Sequence, residues 1–105
     1  MRIMVPMNNS FKFSAEVWEY NGENSWHLIT IPVEIGKTIK TMDEFTRGFG
    51  SVRVIASVGS SKWQTSIFPD TKSESYLLPL KKEIRNKENI IVGSTVDISL
   101  IPLHI

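Results

Sequence analysis

Several residue types that carry chemistry are rare or absent in this chain of 105 residues. There is no cysteine, so disulfides and thiolate metal sites are excluded, and this absence is typical of proteins from a reducing compartment. The two histidines, His27 and His104, belong to no HExxH motif and no acidic cluster, so we expect no metal and no cofactor. No G-x-S-x-G motif is present, and we predict a protein that is not an enzyme.

An excess of charge of one sign is also missing. Lysine and arginine number 12 and aspartate and glutamate 11, a net charge of +1, which is well short of the basic excess of a dedicated nucleic-acid binder. The opening MRIMVPMNNS lacks the apolar stretch of a signal peptide, and no apolar run is long enough to span a membrane. We therefore expect a cytoplasmic protein without membrane contact, folded as a single domain because two halves would be too small to bury separate cores.

Alternating apolar residues predict six strands. The first two form a hairpin over 11–31, with a turn at Asn21-Gly22, and a short helix over 33–42 and a loop over 43–50 follow. The later elements are strands over 51–59, 62–69 and 76–78, a second short helix over 80–90 and a last strand over 95–103. The predicted apolar interior consists of Phe13, Val17, Val54, Trp63, Ile67 and Ile98.

The order of these elements suggests an internal duplication. After an N-terminal extension over 1–9, the segments 10–59 and 60–103 both read as two strands, a helix and a strand, a ββαβ unit. An offset of fifty residues places Phe13 on Trp63 and Val17 on Ile67, although a coincidence of strand patterns is the alternative. We predict an all-β fold in which the two units interlock as a six-stranded, closed or nearly closed barrel with two short helices.

Most of the chain resembles a bacterial and archaeal family of domains of unknown function, DUF1905. The resemblance is carried by Gly-Ser before a strand, Trp-x-Thr-Ser-x-Phe-Pro, Tyr-x-Leu-Pro and Lys-x-x-x-Arg, which are here Gly50-Ser51, Trp63 to Pro69, Tyr76 to Pro79, and Lys81 with Arg85. The opening FKFSAEVWEY and WHLITIPVEI are similar to the first half of the same family.

The resemblance implies a double-split β-barrel, the fold of a superfamily of DNA-binding transition-state regulators and antitoxins. The same module begins some proteins named for bacteriocin protection or OmpD association. One departure is visible, because the family usually has Gly-Asp before its last strand and this chain has Gly93-Ser94. The resemblance implies no activity, and a shared fold alone does not transfer DNA binding.

Two lysines break a rule of helix design. Lys81 and Lys82 are predicted in the first turn of the second helix, where the helix dipole disfavours cations. Because Lys81 and Arg85 are one turn apart, we expect them to bind a phosphate or carboxylate, joined by Arg53 or Tyr76. The alternative is a solvated basic face without a ligand.

A second hypothesis is binding of single-stranded nucleic acid, in which aromatic rings stack on bases and cations meet phosphates. The aromatic candidates are Trp18, Trp26, Trp63 and Tyr76, and the cations are Lys12, Arg53, Lys62 and Lys81. Core packing is the competing explanation for these rings, and it leaves Trp18 and Tyr20 as the aromatic residues most exposed to solvent.

The sequence also suggests a homodimer, because Ile55 and Ile101 interrupt otherwise polar outward faces of two strands.

Taken together, the features of the sequence predict a non-catalytic cytoplasmic binding module for a small anionic ligand. Nucleic-acid binding is the alternative, and an unrecognised enzyme is a second alternative.

Overall fold

The computed structural model describes residues 10–21, 25–46 and 50–103. The predicted N-terminal extension, part of the turn that begins at Asn21 and part of the loop predicted over 43–50 lie outside these residues, as does His104. No helix in the described ranges is long and apolar enough to cross a membrane.

The described chain is mostly β, as the sequence predicts. The helices are α1 (Val33–Thr46) and α2 (Lys82–Glu88). The strands are β1 (Phe11–Glu16), β2 (Trp18–Tyr20), β3 (Trp26–Thr30), β4 (Val52–Val58), β5 (Ser61–Asp70), β6 (Ser75–Pro79) and β7 (Thr95–Pro102).

All seven strands pair antiparallel in one sheet with the order β1-β7-β4-β5-β6-β3-β2. The strands at the two ends of this order, β1 and β2, are separated in the chain by Val17 alone. The sheet is therefore curled, because one bent segment supplies both of its ends. Strand β5 also pairs with two different strands along its length, since Ser61–Ile67 pair with β4 and Phe68–Asp70 pair with β6.

The bend at Val17 corrects the predicted hairpin over 11–31. Only β2 pairs with β3, whereas β1 pairs with β7 at the other end of the chain. The cause is a pair of backbone hydrogen bonds at Val17, whose N–H donates to the Ser94 carbonyl and whose carbonyl accepts from the Gly93 N–H, both at 2.8 Å. These bonds hold Val17 beside the start of β7, so the strand can reach β3 only after the bend.

The concave face of the sheet holds the apolar core, and the predicted interior is confirmed. Val17, Val54, Trp63, Ile67 and Ile98 are all buried, and Phe13 is partly buried against them. The other members of the buried cluster are Ile29, Ile31, Ile39, Val52, Ala56, Val58, Tyr76, Leu78, Leu80, Ile84, Ile90 and Leu100.

Helix α1 is longer than predicted, because residues 43–46 are helical and not part of a loop. The polar residues that suggested a loop do not end the helix, since neither glycine nor proline occurs among them. Asp43 is in fact buried, at 1% exposure.

Glycine in this helix has a packing reason. Gly36 lies against β6, where an added Cβ would come within 2.2 Å of the Ser75 hydroxyl and 3.1 Å of the Ser75 Cα. The Ser75 hydroxyl donates to the Ile31 carbonyl at 2.6 Å, so it occupies a fixed, buried position. The lower helix propensity of glycine is offset by this close approach.

Helix α2 begins two residues later and ends two residues earlier than the helix predicted over 80–90. Lys81 is the N-cap, with extended backbone and no side-chain capping bond, and Lys82 is the first helical residue. The helix ends where Asn89 adopts the left-handed conformation at φ 55°. Ile84 is buried and anchors the helix against the core.

A carboxylate joins α2 to the turn between β4 and β5. Glu88 accepts hydrogen bonds from the Ser61 hydroxyl at 2.5 Å and the Ser60 hydroxyl at 3.2 Å. The bond from Ser61 is the main reason that the pKa of Glu88 lies below its ordinary value, while loss of hydration opposes the shift and Ser60 supports it.

We predict that Gly36→Ala destabilises the fold by about 1 kcal/mol, because an overpacking cost of about 2 kcal/mol, the middle of the usual range, exceeds the helix-propensity gain of about 0.8–1 kcal/mol. Urea denaturation followed by circular dichroism measures the change. Lys37→Ala is the control, since this neighbouring side chain is exposed. A Gly36→Ala variant as stable as the wild type would show that α1 does not pack closely on β6.

We predict that the stabilising contribution of Glu88 depends on pH. Because the folded-state pKa is lowered, the contribution is complete above the unfolded-state pKa of about 4.3 and is lost as pH falls through the lower folded value. Urea denaturation of Glu88→Gln and wild type at pH 7, 5 and 3 should therefore give a stability difference that is largest at pH 7 and shrinks at pH 3. Glu16→Gln is the matched control, on an exposed part of β1, and a difference independent of pH would contradict the assignment.

Candidate ligand-binding site

The convex face of β2, β3, β6 and β5 carries aromatic and apolar side chains instead of polar ones. Directly opposed residues in an antiparallel sheet lie on the same face. The cross-strand pairs on this face are Trp18–Leu28, Tyr20–Trp26, Leu28–Pro79, Thr30–Leu77 and Phe68–Leu77. The residues that alternate with them, such as Ile29, Ile67 and Leu78, point into the core.

These side chains line a groove of about 790 Å³, here called the aromatic groove. Its lining residues are Trp18, Tyr20, Trp26, Leu28, Thr30, Phe68, Asp70, Lys72, Ser73, Leu77 and Pro79. Three of the rings are largely exposed, with 56% of Tyr20, 51% of Trp26 and 47% of Phe68 open to solvent. The volume lies in the range of about 300–1,000 Å³ that is usual for small-molecule sites.

The floor of the aromatic groove is fixed in place. The Trp18 indole N–H donates to the Thr30 hydroxyl at 2.9 Å, which holds the ring against β3. Leu28, between them on the same face, is buried. A ligand would therefore meet a surface whose shape is already set, which lowers the entropy cost of binding.

One end of the aromatic groove is polar. Asp70 ends β5, and its carboxylate accepts from the Ser73 backbone N–H at 3.1 Å. The Ser73 hydroxyl is buried and has no hydrogen-bond partner among the described residues. With Lys72, these residues give the groove a few polar groups at one end only.

A second cavity of about 430 Å³, here called the basic hollow, lies where β5 separates from β6. Its lining residues are Ser25, Trp26, His27, Trp63, Gln64, Thr65, Pro79, Leu80, Lys81 and Arg85. Pairing between β5 and β6 reaches only Phe68 and Leu77, so the earlier part of β5 and the end of β6 diverge and leave this space. The two cations predicted to bind an anion, Lys81 and Arg85, are thus brought together.

Arg85 is oriented by two contacts. Its Nε donates to the Leu80 carbonyl at 3.0 Å, and its Nη1 lies 3.4 Å from His27 Nε2. His27 Nδ1 in turn lies 3.2 Å from the Ser25 carbonyl, so the tautomer with a proton on Nδ1 satisfies both contacts. A guanidinium has five N–H donors, which leaves three of them without a partner in the part of the chain that the structure describes.

Lys81 is held only loosely. Its Nζ lies 3.7 Å from a carboxylate oxygen of Glu83, and both side chains are largely exposed. An exposed pair of this kind contributes about 0–1 kcal/mol, so it does not prevent Lys81 from meeting a ligand.

The other two predicted site residues lie elsewhere. Arg53 donates from Nη2 to the Gln64 side chain at 3.2 Å, and Gln64 lines the basic hollow, so Arg53 lies next to it but not in it. Tyr76 is buried and lines a different cavity, between α1 and the connection of β5 to β6. Anion binding by any of the four stays a prediction.

Binding of single-stranded nucleic acid needs several exposed rings on one surface, and the structure does not place the predicted aromatic residues together on one. Trp63 and Tyr76 are buried in the core, and Trp18 is half-buried in the floor of the aromatic groove.

The two isoleucines on which the homodimer hypothesis rests, Ile55 and Ile101, lie directly opposite each other on β4 and β7, each half-buried. Self-association stays a prediction.

The sequence did not predict that Trp26 and Phe68, two rings of the aromatic groove, are exposed. A signal existed for Phe68, because the alternation of Trp63, Thr65 and Ile67 toward the core places Phe68 on the opposite face. For Trp26 no such signal existed, since the run WHLITI is apolar on both of its faces.

The described residues contain no group of three or more histidine, aspartate or glutamate side chains that could hold a metal ion. The fold and the two cavities thus define a small, mostly β domain with an open aromatic surface and no described metal centre. The chain belongs to the family described as domain of unknown function DUF1905, whose family model matches residues 13–100. The assignment expected from the sequence is confirmed, and no curated protein matches the chain.

Proposed function

We propose that this protein is a non-catalytic, cytoplasmic binding module that holds a small organic ligand in the aromatic groove. The observation that carries the proposal is the exposure of Tyr20, Trp26 and Phe68 in one groove on the convex face of the sheet. Leaving large apolar side chains in water forfeits about 1.5–3 kcal/mol each relative to full burial, and contiguous exposed apolar surface usually marks a binding site.

The rings are not needed to build the core. The buried cluster on the concave face is continuous without them, and β3 contributes Ile29 to the core and Trp26 to the groove from opposite faces. A purely structural explanation therefore accounts for the inward side chains of these strands but not for the outward rings.

The absence of catalysis is part of the proposal. The groove offers one hydroxyl close to a charged group, Ser73, and activation of a serine requires a base within hydrogen-bond reach. The Ser73 hydroxyl has no partner among the described residues, and the Asp70 carboxylate accepts from the Ser73 backbone instead. Binding and positioning are what this arrangement supports.

We further propose that the curled sheet is a double-split barrel of six strands, built by duplication of a ββαβ unit. Counting β1 and β2 as one bent strand, each unit has two strands, a helix and a strand. The pairings support the symmetry, because the bent strand β1–β2 contacts β7 and then β3, while β5 contacts β4 and then β6. The pairs β3–β6 and β4–β7 complete the same pattern.

Nucleic-acid binding is the second candidate, supported by the exposed rings of the groove, which could stack on bases. Charge argues against it, because Lys72 is the only cation among the described residues that line the aromatic groove, and Asp70 lies beside it. Fluorescence titration with short single-stranded DNA and RNA at low salt tests this candidate, and absence of salt-dependent binding would remove it.

We predict that the wild-type protein binds N-phenyl-1-naphthylamine, a neutral aromatic fluorophore, and that Trp26→Ala or Phe68→Ala weakens binding about tenfold. Loss of roughly 50 Å² of apolar contact at about 25 cal/mol per Å² corresponds to that factor. Dye fluorescence measures the dissociation constants.

The matched control is Ile91→Ala, which shortens an apolar side chain that is 70% exposed and does not line the groove. This variant should bind the dye as the wild type does. Failure of the wild type to bind the dye, or equal losses in the control and the groove variants, would refute the proposal.

A further inference from the structure

We propose that the ligand of the aromatic groove is an amphipathic organic anion, with its apolar body on the rings and its carboxylate, phosphate or sulfonate on Arg85 and Lys81. This inference rests on the proposed function, because it names the class of ligand that the groove takes. Such a ligand would occupy both the aromatic groove and the basic hollow.

The aromatic groove and the basic hollow share a wall. Trp26 and Pro79 line both cavities, so the exposed indole ring lies between the apolar surface and the cations. A ligand that covers one side of Trp26 can therefore reach the hollow without leaving the protein surface.

The charges in the groove set the direction of the ligand. Asp70 pairs with Ser75 at the start of β6, and Leu28 pairs with Pro79 at its end. The groove thus runs along β6 for roughly 13 Å, at about 3.3 Å for each residue. At the near end Lys72 and the Asp70 carboxylate offset each other, whereas at the far end Arg85 and Lys81 are two cations that favour an anion.

Arg85 is prepared for this role. Its contacts with the Leu80 carbonyl and His27 fix the plane of the guanidinium, while three N–H donors have no partner among the described residues. Arginine in such a position binds a carboxylate, phosphate or sulfonate through paired hydrogen bonds. Lys81, which is exposed and weakly paired, adds a second positive charge at the same mouth.

The test compares two dyes with the same ring system. 1-Anilinonaphthalene-8-sulfonate carries an anionic group, and N-phenyl-1-naphthylamine lacks it. We expect the sulfonate to bind the wild-type protein at least about tenfold more tightly at low salt, since a charge-assisted hydrogen bond is worth that factor or more.

Substitutions of single cations test where the sulfonate group binds. Arg85→Gln should abolish most of the preference for the sulfonate, and Lys81→Gln should reduce it by a few-fold, while binding of the neutral dye stays unchanged in both. Lys12→Gln is the matched control, because it removes one positive charge from β1, away from both cavities. Thermal unfolding of each variant checks that Arg85→Gln still folds, and Lys81→Gln carries the test if it does not.

Each outcome decides the question. A sulfonate preference that falls in Arg85→Gln and Lys81→Gln but not in Lys12→Gln supports the inference. Equal binding of the two dyes by the wild type overturns it while leaving the proposed function intact, and binding of neither dye overturns both. Sedimentation that shows a dimer, with Trp26→Ala converting it to a monomer, would also overturn the inference, since a second copy would then be the occupant of the groove.

Discussion

The fold and its candidate site both depend on the point where one strand changes partner. The two backbone hydrogen bonds between Val17 and the residues before β7 keep β1 at one end of the sheet and release β2 toward β3 at the other. Strand β5 changes partner in a similar way, from β4 to β6. The curled sheet buries its apolar cluster on the concave side, and the separation of β5 from β6 leaves the space for the basic hollow.

In this arrangement one face of β3 and of β5 supplies side chains to the core, and the other face supplies side chains to the groove. Strand β3 places Ile29 in the core and Trp26 in the aromatic groove, and β5 does the same with Ile67 and Phe68. Because the groove side chains do not fill the core, the stability of the fold and the chemistry of the surface are set by different residues. Leu28 and the hydrogen bond between Trp18 and Thr30 are exceptions, since Leu28 is a buried residue of the groove and the bond joins β2 to β3.

Much of the fold could be predicted from the sequence because alternation is a local signal. The inward faces of β4, β5 and β7 follow directly from it, and Lys81 and Arg85 are brought together because they are one helical turn apart. The bend at Val17 was missed because its cause is a hydrogen bond to Ser94, which is remote in sequence. The groove was missed for the same physical reason, since the position of Trp26 beside Pro79 is decided by the pairing of β3 with β6.

The pairing pattern also makes the two segments of the chain depend on each other. Of the six strand pairings that the structure describes, four join the segment 10–59 to the segment 60–103. Alone, each segment would keep a single strand pairing, β2 with β3 or β5 with β6, and a lone pair of strands is marginally stable at best in water. The buried apolar cluster is divided between the segments in the same way, with Val54 from one and Ile98 from the other, so the core closes only when both are present.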